Sequence, residues 1–251
     1  MIKIDKPSII PPKLTQNKNK LEKCIQKFGS INSIPFDKFK KLINGYKHKE
    51  IQDVLFNSSF NKCSYCETRP SGGFLEIEHY EPKDIYPERS LEWDNLLPSC
   101  SKCNRWKSTH DTRNEPIINP CIIDPEPYFK YEWHSIKVSN NAPDKTLAER
   151  TIKICNLNRL ELIKARMDII FVLEDYEKKL KDAIDKFEKS ESIRKEQLRM
   201  LNLIESLQII KDRAESKEKY AGLCRYFLNT SEVYQNARNL TDEYNKNHPE
   251  I

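Results

Sequence analysis

Apolar positions change their spacing along the chain. Between residues 21 and 56 they recur at helical intervals in short runs: Leu21, Ile25 and Phe28 on one face, then Phe36, Phe39 and Leu42, with Gly45 placed to end the second run. From Phe74 to His79 they alternate with polar residues after Gly72-Gly73, which predicts a strand behind a turn; Tyr131 to Val138 alternates enough to predict another. From about residue 145 the helical period takes over, with a single glycine (Gly222) and a single proline (Pro249). Asn156-Leu-Asn158 marks a break, followed by predicted helices over 159–189 and 192–215 and one or two more over 217–246. Leu160, Ile163, Met167, Ile170 and Leu173 form the stripe of the first, and Met200, Leu203, Leu207 and Ile210 that of the second. Such stripes suit a bundle core, and helices this long also suit a coiled coil with a partner. Elsewhere the chain is turn-rich. Pro7, Pro11 and Pro12 exclude a regular helix from residues 1–20, which read as an extended arm. Leu91 to Leu97 reads as a loop, Cys100 to Thr109 as a short helix with Ser99 as its N-cap, and 113–130, with Pro116, Pro120, Pro125 and Pro127, as a crossing loop. The expected class is α+β: a basic arm and short helices at 1–57, a mixed module at 58–130 and a helical bundle at 131–251.

Composition narrows the picture. Of 251 residues, 37% are hydrophobic and 32% charged, and no run is long and apolar enough to span a bilayer. Five glycines, with no P-loop and no GxGxxG, disfavour a glycine-rich nucleotide fold. The formal charge of +5 is uneven: residues 1–50 hold twelve lysines, no arginine and four acidic residues, so +8 sits there and −3 in the rest. A basic arm suits nucleic-acid phosphates, and a solvated lysine-rich surface accounts for it equally well. The first twenty residues lack the apolar stretch of a signal peptide, so a cytoplasmic chain is expected.

Four of the eight cysteines fall into matched pairs, Cys63-Ser-Tyr-Cys66 and Cys100-Ser-Lys-Cys103. Each CxxC turn presents two thiolates, and two such turns make a tetrahedral S4 cage with Zn–S distances of about 2.3 Å. A disulfide framework would need an oxidising compartment, and a thioredoxin-like pair would need one CxxC in a βαβ setting. Structural Zn2+ on Cys63, Cys66, Cys100 and Cys103 is favoured over both.

Between and beside these pairs run Glu76-Ile-Glu78-His79-Tyr-Glu-Pro82-Lys83, Trp93-Asp94-Asn95-Leu96-Leu97 and Cys103-Asn104-Arg-Trp-Lys107. In this order these segments resemble the HNH nuclease family, which implies phosphodiester cleavage, and cleaving an anionic phosphodiester takes a base to activate water and a cation to absorb developing charge. A neutral His79 suits the first task. Oxygens of Glu78 and Asn104 suit Mg2+ or Mn2+ for the second. Glu76 shares a strand face with Glu78 and is placed to share the ion; His110 is a reserve ligand or an exposed helix-end residue. Adjacent strand residues point to opposite faces, so Glu78 and His79 serve one site only if the strand ends or bulges there, which Pro82 favours. Lys83, Arg105 and Lys107 are expected phosphate contacts.

Over residues 60–110 the likeness is to that family's zinc-knuckle form. The resemblance implies a ββα-metal hairpin and helix gripped by zinc. It also implies that Asn95 stays off the metal, binds backbone across the loop and holds His79 in place. Glu78 and Asn104 stand where many members carry Asp and His. The fuller pattern is Glu-His-Tyr-x-Pro-Lys, Glu92-Trp-Asp-Asn-Leu-Leu and Ser-Cys-x-x-Cys-Asn-x-x-Lys. With Ala148-Glu-Arg-Thr-Ile-Lys-Ile-Cys-Asn-Leu-Asn and Tyr220-Ala-Gly-Leu-Cys-Arg-Tyr-Phe-Leu, it is similar to the HNH subunits of Septu-type anti-phage systems and some retrons (PtuB). That likeness implies an ABC/SMC-like ATPase partner docked on the helical half. The expectation is a metal-dependent HNH endonuclease acting on DNA as the effector of a defence complex. A stand-alone restriction-type HNH nuclease and a non-catalytic zinc-knuckle binding or scaffold module are the alternatives.

Overall fold

Proline governs how the chain begins, and differently from expectation. Helix α1 (Pro12–Phe28) starts inside the segment expected to stay extended, with Pro12 in its first turn. There the missing N–H has no helical partner to lose, and the fixed φ already suits a helix. Nor are residues 1–8 a free basic arm. Ile2 and Ile4 are buried. Lys3 Nζ donates to the carbonyls of Cys121 and Ile122, at 3.2 and 2.5 Å. Lys6 Nζ donates to those of Trp93 and Leu96 and lies 4.3 Å from the Trp93 ring centre. Burial lowers Lys6 to about 8. These two cations tie the segment down and are taken from the expected phosphate-binding arm.

The computed structural model describes residues 1–70 and 75–248, so the expected Gly72-Gly73 turn, Phe74 and Pro249 lie outside the described residues. Helices α2 (Phe36–Ile43) and α3 (Lys49–Asn57) flank a 3-10 turn at Asn44–Lys47, so α2 stops before Gly45. Phe36, expected on the packed face with Phe39 and Leu42, is 74% exposed, while those two pack inward. Leu14, Leu21, Tyr46, Ile51 and Leu55 from this layer meet Ile77, Leu91, Trp93 and Leu96 in one apolar cluster.

That cluster backs a two-stranded antiparallel sheet of β1 (Leu75–His79) and β2 (Leu96–Cys100), with Leu75 opposite Cys100 and His79 opposite Leu96. Strand β2 begins within the segment expected to be a loop. A proline is tolerated in a two-stranded ladder, and the Pro98 carbonyl accepts the Ser64 N–H at 2.8 Å. Helix α4 (Ser101–Lys107) follows directly and packs against both strands. Its N-cap is Cys100, whose Sγ accepts the Cys103 N–H at 3.4 Å, and not the expected Ser99. The order is ββα.

The chain forms two units: residues 1–129 with 137–157, and residues 130–136 with 158–251. The boundary expected at 130/131 therefore has an exception, because α5 (Lys145–Ile154) belongs to the first unit. Thr151 Oγ1 accepts the Ile118 N–H at 2.8 Å, and Arg150 donates to the Pro116 carbonyl at 2.9 Å. The single strand expected over Tyr131 to Val138 is a hairpin of β3 (Phe129–Glu132) and β4 (Ser135–Val138).

The second unit is helical: α6 (Leu160–Glu188), α7 (Ile193–Asp212), α8 (Ala221–Thr230) and α9 (Glu232–Asn247). Its core gathers Leu173, Leu180, Ile184, Met200, Leu203, Ile210, Leu228 and Ala237. The α7 stripe is as expected. On α6 the buried face runs through Leu162, Arg166, Leu173, Leu180 and Ile184; of the expected stripe Leu173 is buried, Ile163, Met167 and Ile170 are half-buried, and Leu160 is 63% exposed. Arg166 satisfies its burial by donating to the His134 carbonyl and Asn158 Oδ1. Among the described residues no helix is long and apolar enough to cross a membrane.

Candidate active site

Two turns bring the paired cysteines together: the loop after α3 carries Cys63 and Cys66, and the β2–α4 junction carries Cys100 and Cys103. Their four sulfurs lie within 4.8 Å of one another, all buried, and none is in a disulfide. Cys66 Sγ and Cys100 Sγ are 3.8 Å apart, matching the edge of about 3.8 Å that Zn–S bonds of about 2.3 Å impose on a tetrahedron. The neighbouring Cys103 thiol holds Cys100 well below the ordinary thiol range, whereas burial pushes Cys63 up. A dication among the four would stabilise every thiolate, and this all-sulfur donor set fits zinc.

Strand β1 ends at His79, just where two faces of the sheet need to converge. Ile77 and His79 point toward the apolar N-terminal layer, Glu76 and Glu78 toward α4. His79 is buried, with Nε2 3.0 Å from the Ser90 carbonyl and its ring edge-on to Tyr46 at 4.5 Å. A carbonyl only accepts, so Nε2 carries the hydrogen and Nδ1 keeps the lone pair. Burial lowers His79 to about 4, with the Lys83 and Lys107 charges adding to that and the Ser90 bond opposing it. The imidazole is therefore neutral at physiological pH.

Asn95 is 1% exposed and fully used. Its Oδ1 accepts the Glu81 N–H at 2.7 Å, and its Nδ2 donates to the carbonyls of Glu81 and Arg89, at 3.0 and 3.1 Å. It thus binds the residue next to Ser90, whose carbonyl orients His79, and spans the loop leaving β1.

On the other face Glu78 meets α4. Lys107 Nζ lies 2.5 Å from Glu78 Oε1 and donates to the His79 carbonyl at 2.8 Å, with both side chains almost wholly buried. Burial pushes Glu78 up to about 7, against the pull of Lys107. Asn104, one turn before Lys107, donates through Nδ2 to Glu76 Oε2 at 2.6 Å. Glu78, His79 and Asn104 line one cleft of about 220 Å³ with Tyr46, Pro82, Lys83, Asp84 and Ser108.

The expected residues thus divide. Glu78, His79, Asn104 and Lys83 share the cleft, and Asn95 braces it from behind. Arg105 is exposed on α4. Lys107, expected on the surface as a phosphate contact, is instead sealed beneath the site as the partner of Glu78, because its long stem reaches back along the sheet. His110 bonds the Glu115 carbonyl at 2.8 Å and does not line the cleft. The sequence reading missed Tyr46 and the Ser90 carbonyl. Neither carries a local signal, since one arrives from the preceding helical layer and the other is main chain.

Residues 63–110 match the family described as HNH endonuclease. These residues are an HNH endonuclease domain. The chain is also 35% identical over 171 residues to Septu protein PtuB of Bacillus thuringiensis, across 66% of this chain and 59% of that protein. It is 28% identical over 155 residues to Septu protein PtuB of Bacillus mycoides (strain KBAB4), across 49% and 52% respectively. Protein ea31 of Escherichia phage lambda is 32% identical over 84 residues, 32% of this chain and 27% of that protein. The chain spans between half and three-fifths of the length of the two PtuB relatives. The HNH domain holds all four clustered cysteines, Glu78, His79, Asn95 and Asn104, but not Tyr46. It also excludes Thr112 and Ile117, which brace the end of β1 through the Tyr80 carbonyl (2.6 Å) and the Tyr80 hydroxyl (2.7 Å).

Proposed function

We propose that this chain is a divalent-metal-dependent endonuclease that hydrolyses DNA phosphodiester bonds. Its place would be the nuclease subunit of a Septu-type anti-phage complex with an ABC/SMC-like ATPase. The convergence of Glu78, His79 and Asn104 on one cleft, with His79 held as the Nε2–H tautomer, carries this reading. His79 Nδ1 takes a proton from a water, the resulting oxygen attacks the phosphorus, and the bond to the leaving sugar oxygen breaks. Glu78 and Asn104 would hold Mg2+ or Mn2+, whose bound charge stabilises the leaving oxygen. Asn95 keeps the loop, and through Ser90 the imidazole, in register. Lys83 and Arg105 would meet backbone phosphates, and Cys63, Cys66, Cys100 and Cys103 would hold Zn2+ to fix α4 against the hairpin. The PtuB likeness supports the defence role and the partner.

Plasmid cleavage tests the reading, with Mg2+ or Mn2+ against EDTA, His79→Ala against the parent, and the adjacent gene's product present or absent. Expected is metal-dependent cutting that His79→Ala abolishes while zinc content and fold persist. Cutting that survives His79→Ala would remove His79 from the role of base.

A further inference from the structure

Tyr46 presents three features to the cleft, and two are already committed. Its ring meets the His79 ring in a T-shaped contact at 85°. Its ring is buried: the residue is 5% exposed, with Lys83 Nζ and Lys47 Nζ 5.3 and 5.9 Å from the ring centre. No nucleobase can stack there. The hydroxyl remains. Lys83 Nζ lies 3.0 Å from it, and an ammonium has no lone pair, so the phenol oxygen accepts and its own hydrogen is directed elsewhere. Among the described residues that O–H donates to no acceptor. Both residues line the cleft shared by Glu78, His79 and Asn104. A cation and an uncommitted O–H donor, side by side, match two acceptor oxygens of a phosphodiester.

We propose that Tyr46 is a substrate-phosphate ligand acting as a pair with Lys83, so that a residue outside the HNH domain completes its binding cleft. This rests on the reading of the cleft as a phosphodiester site. Tyr46 donates one neutral hydrogen bond and Lys83 supplies the charge, while the ring of Tyr46 packs against the His79 imidazole in the same cleft.

Tyr46→Phe removes the hydroxyl alone and keeps the ring on His79. Binding is read by fluorescence anisotropy on a labelled DNA duplex, with the full chain and Ca2+ in place of Mg2+. Tyr46→Phe should weaken binding roughly five- to tenfold, to the same degree for unrelated sequences, and leave the salt dependence unchanged because no charge is lost. Lys83→Met should also weaken it and reduce the slope of log Kd against log salt by about one. The double variant should lose less than the product of the two, since both act on one phosphate. Binding by Tyr46→Phe within about twofold of the parent, against the fivefold expected for a lost hydrogen bond, would overturn the proposal. So would unchanged binding with slower cutting, which would assign the hydroxyl to His79 alone. Persistent cleavage by His79→Ala would instead count against the reading of the cleft, a separate result from either.

Discussion

Lys107→Met should cost this protein more than any surface lysine, and the reason lies in what it leaves behind. Lys107 is 1% exposed, with its ammonium 2.5 Å from Glu78 Oε1 and 2.8 Å from the His79 carbonyl. Methionine keeps most of the stem volume, so little cavity forms and the loss is electrostatic. Removing one partner of a buried ion pair typically costs about 3–5 kcal/mol, because the remaining charge has neither water nor counter-ion. Glu78 has an escape, since burial already pushes it to about 7 and without Lys107 it will take up a proton more readily still. The penalty should therefore be smaller at pH 6 than at pH 8, changing by up to about 1.4 kcal/mol per pH unit. Glu78→Gln with Lys107→Met leaves two neutral groups and should return to within about 1 kcal/mol of the parent. Urea unfolding followed by tryptophan fluorescence suits the test, because Trp93 is buried in the same unit while Trp106 and Trp133 are 56% and 80% exposed. A Lys107→Met variant within about 0.5 kcal/mol of the parent at pH 8, where breaking a buried pair should show most, would refute the reasoning. A double variant as unstable as Lys107→Met would do the same.

Two of the remaining predictions concern ionisation and two concern covalent or hydrogen-bonded ties. His79, held near 4 against an ordinary 6.5, stays neutral in the fold while the unfolded chain charges. It therefore contributes up to about 3 kcal/mol that is present above pH 6.5 and lost as pH falls toward 4. Glu78, raised to about 7 from 4.5, acts in the opposite sense: the fold takes up its proton first, so acidification from 7 to 4.5 favours folding. In Glu78→Gln the His79 effect should stand alone, giving a steeper fall in urea midpoint between pH 6.5 and 4 than in the parent; equal slopes would contradict this. Asn95→Ala should destabilise by about 3 kcal/mol, since it strands three partly buried backbone groups of Glu81 and Arg89, and a chevron or equilibrium urea curve would measure it. Elemental analysis should find one zinc per chain, and chelation should expose Trp93; a metal-stripped protein with unchanged fluorescence would speak against a structural cation on the four cysteines.

What could be read from the residues alone was whatever they settle locally. Glu78-His79, Asn95 and Asn104 stand in a short ordered pattern, and it is the family resemblance of that pattern that implies the hairpin and helix carrying them. The misreadings come from longer range. Lys107 sits one turn past Asn104 on a helix with exposed neighbours, and only the fold reveals that its stem crosses to Glu78. Leu96-Leu97-Pro98-Ser99-Cys100 does not alternate apolar with polar residues, so β2 carries no strand signal, and a two-stranded ladder tolerates its proline. On α6 apolar residues occupy more than one face, and a buried arginine marks the packed one, so periodicity selected Leu160 where the bundle uses Leu162 and Arg166. Pro12 would break a helix interior, but it sits in the first turn, where a helix accepts it.

The apolar cluster behind β1 bears on how this domain can be moved between proteins. Ile77, Leu91, Trp93 and Leu96 find their packing partners in Leu14, Leu21, Ile51 and Leu55, all upstream of the first zinc-binding turn. A fragment cut to residues 63–110 would keep Glu78, His79, Asn95, Asn104 and the four clustered cysteines, yet would present that face to water with Tyr46 gone from beside His79. Grafting the cutting module onto another scaffold requires carrying the three preceding helices as well, and insertions at their junction with the first cysteine pair would be felt as a change in the aim of the imidazole.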